Sequence, residues 1–302
     1  MKATTKYTLS LLFVASSFYG TAQLPSSGQT TVLDGVYQQT HVPTKRVVSY
    51  THLREADVIW SKRIWRIIDT RERNNFPLYY PEDPISDRMS LFDVIKYAVF
   101  EEGSLTVYED DMFYKPLLPP NGNRQDPAYI ELLKGKFGFE QIIDSIDNTT
   151  GLQATDFDGN PITIKKVVNY TSTDIIEWRI KEDWFFDKQK SVMDVRIIAI
   201  APVVNLMREG QSFGPYPLFW LYFPESRYVF QNFFVYNPQN DAMRMSFDDL
   251  FWKRKFTSYV YKESNVYDRV VSQEALEGIE QQLISERIKE EIFKIEHDLW
   301  HY

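Results

Sequence analysis

Gly210-Gln211-Ser212-Phe213-Gly214 has the G-x-S-x-G spacing with which a hydrolase presents a nucleophilic serine. That chemistry needs a strand before the serine, a helix after it, a histidine to take the hydroxyl proton and an acid to orient the histidine. Here Pro215 and Pro217 follow directly, Arg208-Glu209 precede, and the histidines downstream are His297 and His301 in a charged tail. The segment reads as a loop. His297 and His301 are spaced i, i+4 and would face one metal from a helix, but His297 is followed by Asp298 and not by the glutamate of the metalloprotease motif. His41 and His52 add no ligand set. Asp156-Phe157-Asp158-Gly159-Asn160 begins like a calcium loop, yet its glycine falls fourth and Val167, in the twelfth place, has no carboxylate to offer. It reads as a turn. Carboxylate runs such as Glu109-Asp110-Asp111 are common in so acidic a chain, and none stands out as an acid and base pair. No glycine-rich phosphate loop occurs, so no catalytic set, metal or cofactor is expected. Asn148-Thr149-Thr150 has the form of a glycosylation site whose use depends on the host.

The elements that would carry any site begin after an export signal. Lys2 and Lys6 precede an apolar run, Leu9 to Ala15, and Gly20 and Ala22 satisfy the small-residue rule for cleavage, leaving residues 1–22 as a signal peptide. An uncleaved anchor is the alternative. No later run reaches the length of a membrane span, so a soluble, exported chain is expected. The absence of cysteine excludes both a disulfide framework and a lipid-modified cysteine. Loss of two lysines takes the formal net charge from −8 to about −10. Nucleic acid is therefore not an expected partner. The basic runs Lys165-Lys166 and Lys253-Arg254-Lys255 read as solvated faces.

Residues 23–46 are rich in Ser, Gly, Gln, Thr and Pro and read as an extended or disordered arm. Leu53, Ala56, Trp60, Ile64, Ile67, Ile68 and Arg71 then recur at helical spacing, which predicts a helix over about Arg54 to Arg71; Arg63 to Asp69 also alternates as a strand would. Ser90-Leu91-Phe92-Asp93 is a helix-capping pattern, and Leu91, Val94, Ile95, Ala98 and Val99 continue the apolar face until Gly103. A strand follows over Ser104 to Tyr108. From Tyr80 to Asp93 this stretch repeats 156 positions later: Tyr80/Tyr236, Arg88/Arg244, Met89/Met245, Ser90/Ser246 and Asp93/Asp249 coincide without a gap. The second copy supplies Ser246 as a cap and a strand over Phe256 to Tyr261, and Asp174 to Trp178 echoes Asp57 to Trp60 with one insertion. Val195 to Val204 and Pro217 to Phe223 are β-rich additions to it.

These readings predict an α+β fold: two related helix-plus-strand modules, residues 47–147 and 162–264, the second enlarged by a β-hairpin from Ile175 to Val204, then a C-terminal helical segment, residues 265–302. One contiguous domain built from both copies is the competing arrangement. In the tail, Leu276, Ile279, Leu283, Ile288, Ile292, Ile295 and Leu299 lie on one side of a long amphipathic helix that either packs on its own domain or docks to a neighbouring chain. The aromatic share of 16% exceeds what a core alone requires and favours binding or assembly. Exposed members of Trp60, Trp65, Trp178, Trp184 and Trp220, together with Leu283, Ile288 and Ile292, are the candidate protein-interface residues.

Ala56 to Pro81 and Leu218 to Arg269 resemble the gliding motility protein GldN family, called PorN in non-gliding relatives. The resemblance is carried by FWLYFPESR at Phe219 to Arg227, Asn240 to Arg244, Ser246 to Phe251, Lys253-Arg254 and Lys262 to Arg269. It implies a periplasmic structural subunit of the type IX secretion system of Bacteroidota, associated with the inner face of the outer membrane through the lipoprotein GldK or PorK. Self-association within a ring, contacts with other secretion-system components, and a need for it in protein secretion and gliding are further implications. No catalytic residue is carried over. A peptide- or peptidoglycan-binding module of the periplasm and an unrecognised hydrolase are the competing readings. Intact mass of the exported protein is expected to begin at Gln23; a mass that retains residues 1–22 would establish the anchor instead.

Overall fold

Val58–Asp69 is a twelve-residue strand, β1, where helical spacing predicted a helix. The computed structural model describes residues 46–85, 88–119, 122–144, 163–208, 211–237, 240, 243–274 and 278–298. The signal segment, the arm up to residue 45, Asn148, the Asp156 turn, Leu299 and His301 lie outside the described residues. In β1 the buried residues come as adjacent pairs, Ile64-Trp65 and Ile67-Ile68, because both faces of the strand are covered. Isoleucine and tryptophan suit a pleated surface, and pairing with a strand on each side decides the conformation over local periodicity. Of the two readings of Arg63 to Asp69 the strand is the one that forms, with its burial in pairs and not in alternation.

The chain continues with α1 (Phe76–Tyr79) and α2 (Leu91–Tyr97), whose cap is as expected: Ser90 Oγ accepts from the Asp93 amide at 3.1 Å. Such a cap is worth about 1 kcal/mol. A π turn over Ala98–Glu102 ends at Gly103, whose φ of 66° suits a residue without Cβ. Then follow β2 (Val107–Tyr108), β3 (Pro116–Leu117), α3 (Pro127–Phe137), β4 (Gly138–Asp144) and β5 (Thr163–Asn169). The expected hairpin is present as β6 (Ile175–Asp187) and β7 (Val192–Arg208). After it come β8 (Gln211–Pro217), β9 (Trp220–Tyr222), α4 (Phe223–Phe230), β10 (Phe234–Val235), β11 (Met245–Ser246), α5 (Phe247–Trp252), β12 (Tyr259–Glu263), α6 (Val271–Glu274) and α7 (Gly278–Asp298). The echo between Asp57 and Asp174 is structural, since each closes a 3-10 turn that opens directly into β1 or β6.

Among the described residues the main sheet runs β12-β1-β6-β7-β9-β2-β3, with β8 on the far end of β7, and its pairs are antiparallel. β4 and β5 form a separate ribbon, as do β10 and β11. β1, from the first half of the chain, lies between β12 and β6 from the second. Strand alternation divides the core. Ile200 joins Ile68, Trp178, Phe92, Phe137, Phe230 and Phe251 in the large core beneath α2 to α5, whereas its neighbours Ala199 and Ala201 face Trp65 and Trp220 on the other side. Ile64, on the same face as Ile68, packs with Val260, Ile288 and Ile292 under α7.

Charges tie these layers together. Glu182 on β6 is fully buried, accepts hydrogen bonds from Trp184 Nε1 and Arg254 Nη2, both at 3.1 Å, and has Arg254 Nη1 2.8 Å from its other oxygen. The run Lys253 to Lys255, expected to be solvated, therefore turns one of its cations inward, at a residue with φ of 50°. Buried pairs contribute little over apolar substitutes, but breaking one leaves a desolvated charge. Arg254→Ala is expected to lower unfolding stability by about 3–5 kcal/mol in denaturant melts; a loss within about 1 kcal/mol would mean Glu182 is served by other groups.

Candidate functional site

The best candidate for contact with another protein is built by the repeated motif itself. Each copy contains Arg-Met-Ser, and the serine caps the next helix: Ser246 Oγ accepts from the Asp249 amide at 3.1 Å as Ser90 does from Asp93. The cap fixes where the preceding methionine and arginine leave the helix. Met245 is buried and Met89 packs partly against the same core, so the arginine one residue earlier is directed outward. Between the copies runs β10. On one side it pairs with β11, Phe234 opposite Ser246 and Val235 opposite Met245; on the other, Phe234 bridges in parallel to Arg88. Both motifs thus clasp one short strand.

Side chains repeat the arrangement. Arg88 of the first copy lies over the Tyr236 ring at 5.4 Å, and Arg244 of the second lies over the Phe234 ring at 5.0 Å. Phe234 opens β10 and Tyr236 follows directly after its last residue. The result is a layer of two guanidinium groups on two aromatic rings. Around it Ile85 is 63% exposed, Met243 54%, Tyr236 45% and Tyr97 43%, and Tyr97 is held edge-on to Phe233 at 5.7 Å. Ile85 is fixed by a reciprocal backbone pair with Arg88 at 3.0 and 2.9 Å. Tyrosine, arginine and methionine around an apolar centre are the composition of an interface hot spot, and stacking on the rings holds the arginines in place before a partner arrives. The layer suits carboxylates and aromatic rings on a partner protein.

The sequence-selected residues lie elsewhere. Trp178 is deep in the large core, Trp65 and Trp220 meet in the cluster on the opposite sheet face, and Trp60 and Trp184 are half-buried against the small core that contains Ile288 and Ile292. Of the eight, Leu283 alone is exposed, at 63%, on a second stripe of α7 with Ile279 and Phe293. Packing captured the rest because an indole or isoleucine on a two-sided sheet or inward helix face has apolar neighbours on hand. Ile85, Arg88, Tyr97, Phe234, Tyr236, Met243 and Arg244 were missed as a set. The alignment of Arg88 with Arg244 contained the signal, but not that each guanidinium lies over a ring of the same strand.

Other chemistry-bearing residues close on themselves. Ser212 lies in β8, not on a strand-to-helix elbow, and its hydroxyl is 2.7 Å from Asn205 Oδ1. His297 Nδ1 is 3.6 Å from Asp298, and no cluster of three metal-ligating side chains occurs among the described residues. Lys181, almost fully buried, donates to the Asp111 carbonyl oxygen at 2.6 Å and faces the Trp65 ring; burial pulls its ammonium below the usual lysine range, with the Asp111 carboxylate opposing. A cavity of about 720 Å³ beside β12 includes Glu177, Arg179 and Tyr259. Burial raises the Glu177 carboxyl, opposed by Arg179, which binds it at 3.1 Å, and pushes the Tyr259 phenol up to about 12.

A protein-family comparison matches residues 53–301 to a family described as gliding motility associated protein GldN. No curated protein matches the chain. Joint replacement Arg88→Ala and Tyr236→Ala is expected to leave far-UV circular dichroism unchanged and to weaken binding to a protein partner by at least about tenfold, or 1.4 kcal/mol. Unchanged affinity in a calorimetric titration would remove the layer from the interface.

Proposed function

Since the chain belongs to the GldN family of gliding motility associated proteins, a structural family of type IX secretion, we propose that it is a periplasmic ring subunit of that machinery. The family match across residues 53–301 carries this reading. Its lipidated partner is the GldK or PorK lipoprotein, through which a chain with no cysteine of its own is kept at the inner face of the outer membrane. No helix among the described residues is long and apolar enough to cross a membrane, which is in keeping with attachment through a partner. The arginine-aromatic layer supports an assembly role because it offers rigid, partly exposed anchors and not a reactive group.

In this role the protein works by holding partners in register. A subunit of a load-bearing ring must resist local unfolding, and the pairing of β1 with both β6 and β12 ties the first described strand to the last. Peptide binding remains a second reading favoured by the cavity beside β12. The test is co-purification of the exported chain with the lipoprotein followed by imaging, alongside secretion and surface-spreading assays in a deletion strain. A ring containing both proteins, and loss of secreted cargo on deletion, is the expected result. A chain that stays monomeric with the lipoprotein while secretion continues without it would overturn the proposal.

A further inference from the structure

The first described residues of the chain are attached to the body by side chains rather than by a sheet. Residues 46–53 adopt no regular element, and among the described backbone hydrogen bonds none involves them. Their anchor is Tyr50. Its ring stacks on Trp252 at 5.5 Å with 25° between planes and lies 4.6 Å from the Arg227 guanidinium and 5.1 Å from that of Arg196. The next residue is gripped as well: Arg196 Nη2 donates to the Thr51 carbonyl oxygen at 2.6 Å, and Lys190 Nζ to Thr51 Oγ1 at 2.9 Å.

The receiving half belongs wholly to the body. Arg196 comes from β7, Arg227 from α4, and Asp248 and Trp252 from α5. Arg227 is 2% exposed and paired to Asp248 through two hydrogen bonds, at 2.7 and 3.3 Å, while Trp252 is 49% exposed. This is a preformed socket: two fixed cations and an indole that accept an aromatic ring from an extended segment and then bind the following peptide carbonyl. Its specificity is visible in its occupant, a tyrosine followed by threonine.

We propose that this socket is an interaction site between copies of the chain, filled in this structure by the chain's own Tyr50 and filled in an assembly by Tyr50 of a second copy. The inference rests on the self-association reading and names the surfaces that would carry it. The identical contacts form within one chain or between two, so exchange has almost no cost in contact energy and is set by the short link from Thr51 to Glu55 and by local concentration. The location of the strap favours exchange. It lies outside every sheet and helix of the described residues, so Tyr50 can move to a neighbour without breaking a strand pairing. A strand buried in the sheet could not be released so cheaply.

Because the chain has no cysteine, the test can be made with introduced thiols. Thr51→Cys and Lys190→Cys are both at exposed positions; they give up the Lys190–Thr51 hydrogen bond but keep Tyr50, the rings and guanidinium groups around it, and the Arg196 contact to the residue 51 carbonyl. Full-length copies bearing one substitution each, with different tags, are mixed, allowed to assemble and treated with a short bis-maleimide. Exchange predicts a covalent product joining the two tags, whose yield falls about tenfold in the Tyr50→Ala background, a shift of 1.4 kcal/mol, and is kept in Tyr50→Phe. A cross-link confined to single chains carrying both thiols, in copies that still assemble, overturns the exchange and leaves the assembly reading standing. Copies that never associate at any concentration overturn both.

Discussion

The pairing of β1 on both edges is the constraint on which the other parts depend. Its neighbours are β6 and β12, separated from it in the chain by more than a hundred residues. Placing the last strand beside the first closes a long loop at an entropic cost that grows only slowly with length, and apolar burial on both faces of β1 offsets it. Ile68 enters the large core, Ile64 the small one under α7, and Trp65 the cluster on the opposite face, so one strand serves all three. Early and late parts of the chain are consequently joined in one sheet. Apart from it, Arg88 and Arg244, from the two copies, meet at the same short strand, β10.

Buried charge adds specificity to this packing. Glu182, Lys181 and Arg227 are each almost fully enclosed, and each has a fixed counter-charge: Arg254, Asp111 and Asp248. A slipped register would leave these groups unpaired, at a cost of several kcal/mol each. Indole and phenol groups share the work. Trp65 Nε1 donates to Asp111 at 3.0 Å while its ring faces Lys181, so the loop bearing Asp111 is bound to the sheet by one small network.

Legibility followed how local each cause was. Caps are local, and Ser90, Ser246 and Gly103 were readable because a hydroxyl three residues before an amide, or a glycine after an apolar face, acts within one turn. The β6 to β7 hairpin was readable from its β-branched run. β1 was misread because a strand buried on both faces puts Ile64, Ile67 and Ile68 where a helical stripe would also put them, and only the partners at Trp178 and Val260 distinguish the two. The tail was read correctly as a helix, yet Ile288 and Ile292 face inward and Ile279, Leu283 and Phe293 outward, a division set by the position of Val260. The candidate surface was half legible. Repetition marked Arg88 and Arg244, while the rings beneath them were determined by a strand outside the first copy.

The central claim is that this member of the GldN family works by docking, through the surface where its two repeated motifs meet. Hydrogen exchange of the isolated protein against its complex with the lipoprotein tests it most directly. The account predicts slowed exchange at Ile85, Arg88 and the backbone amides from Phe233 to Val235 and Met243 to Met245, in amides that are not already protected in the free chain. A complex that forms with no added protection there, and with protection confined to the outer stripe of α7 or to the cavity beside β12, would contradict it.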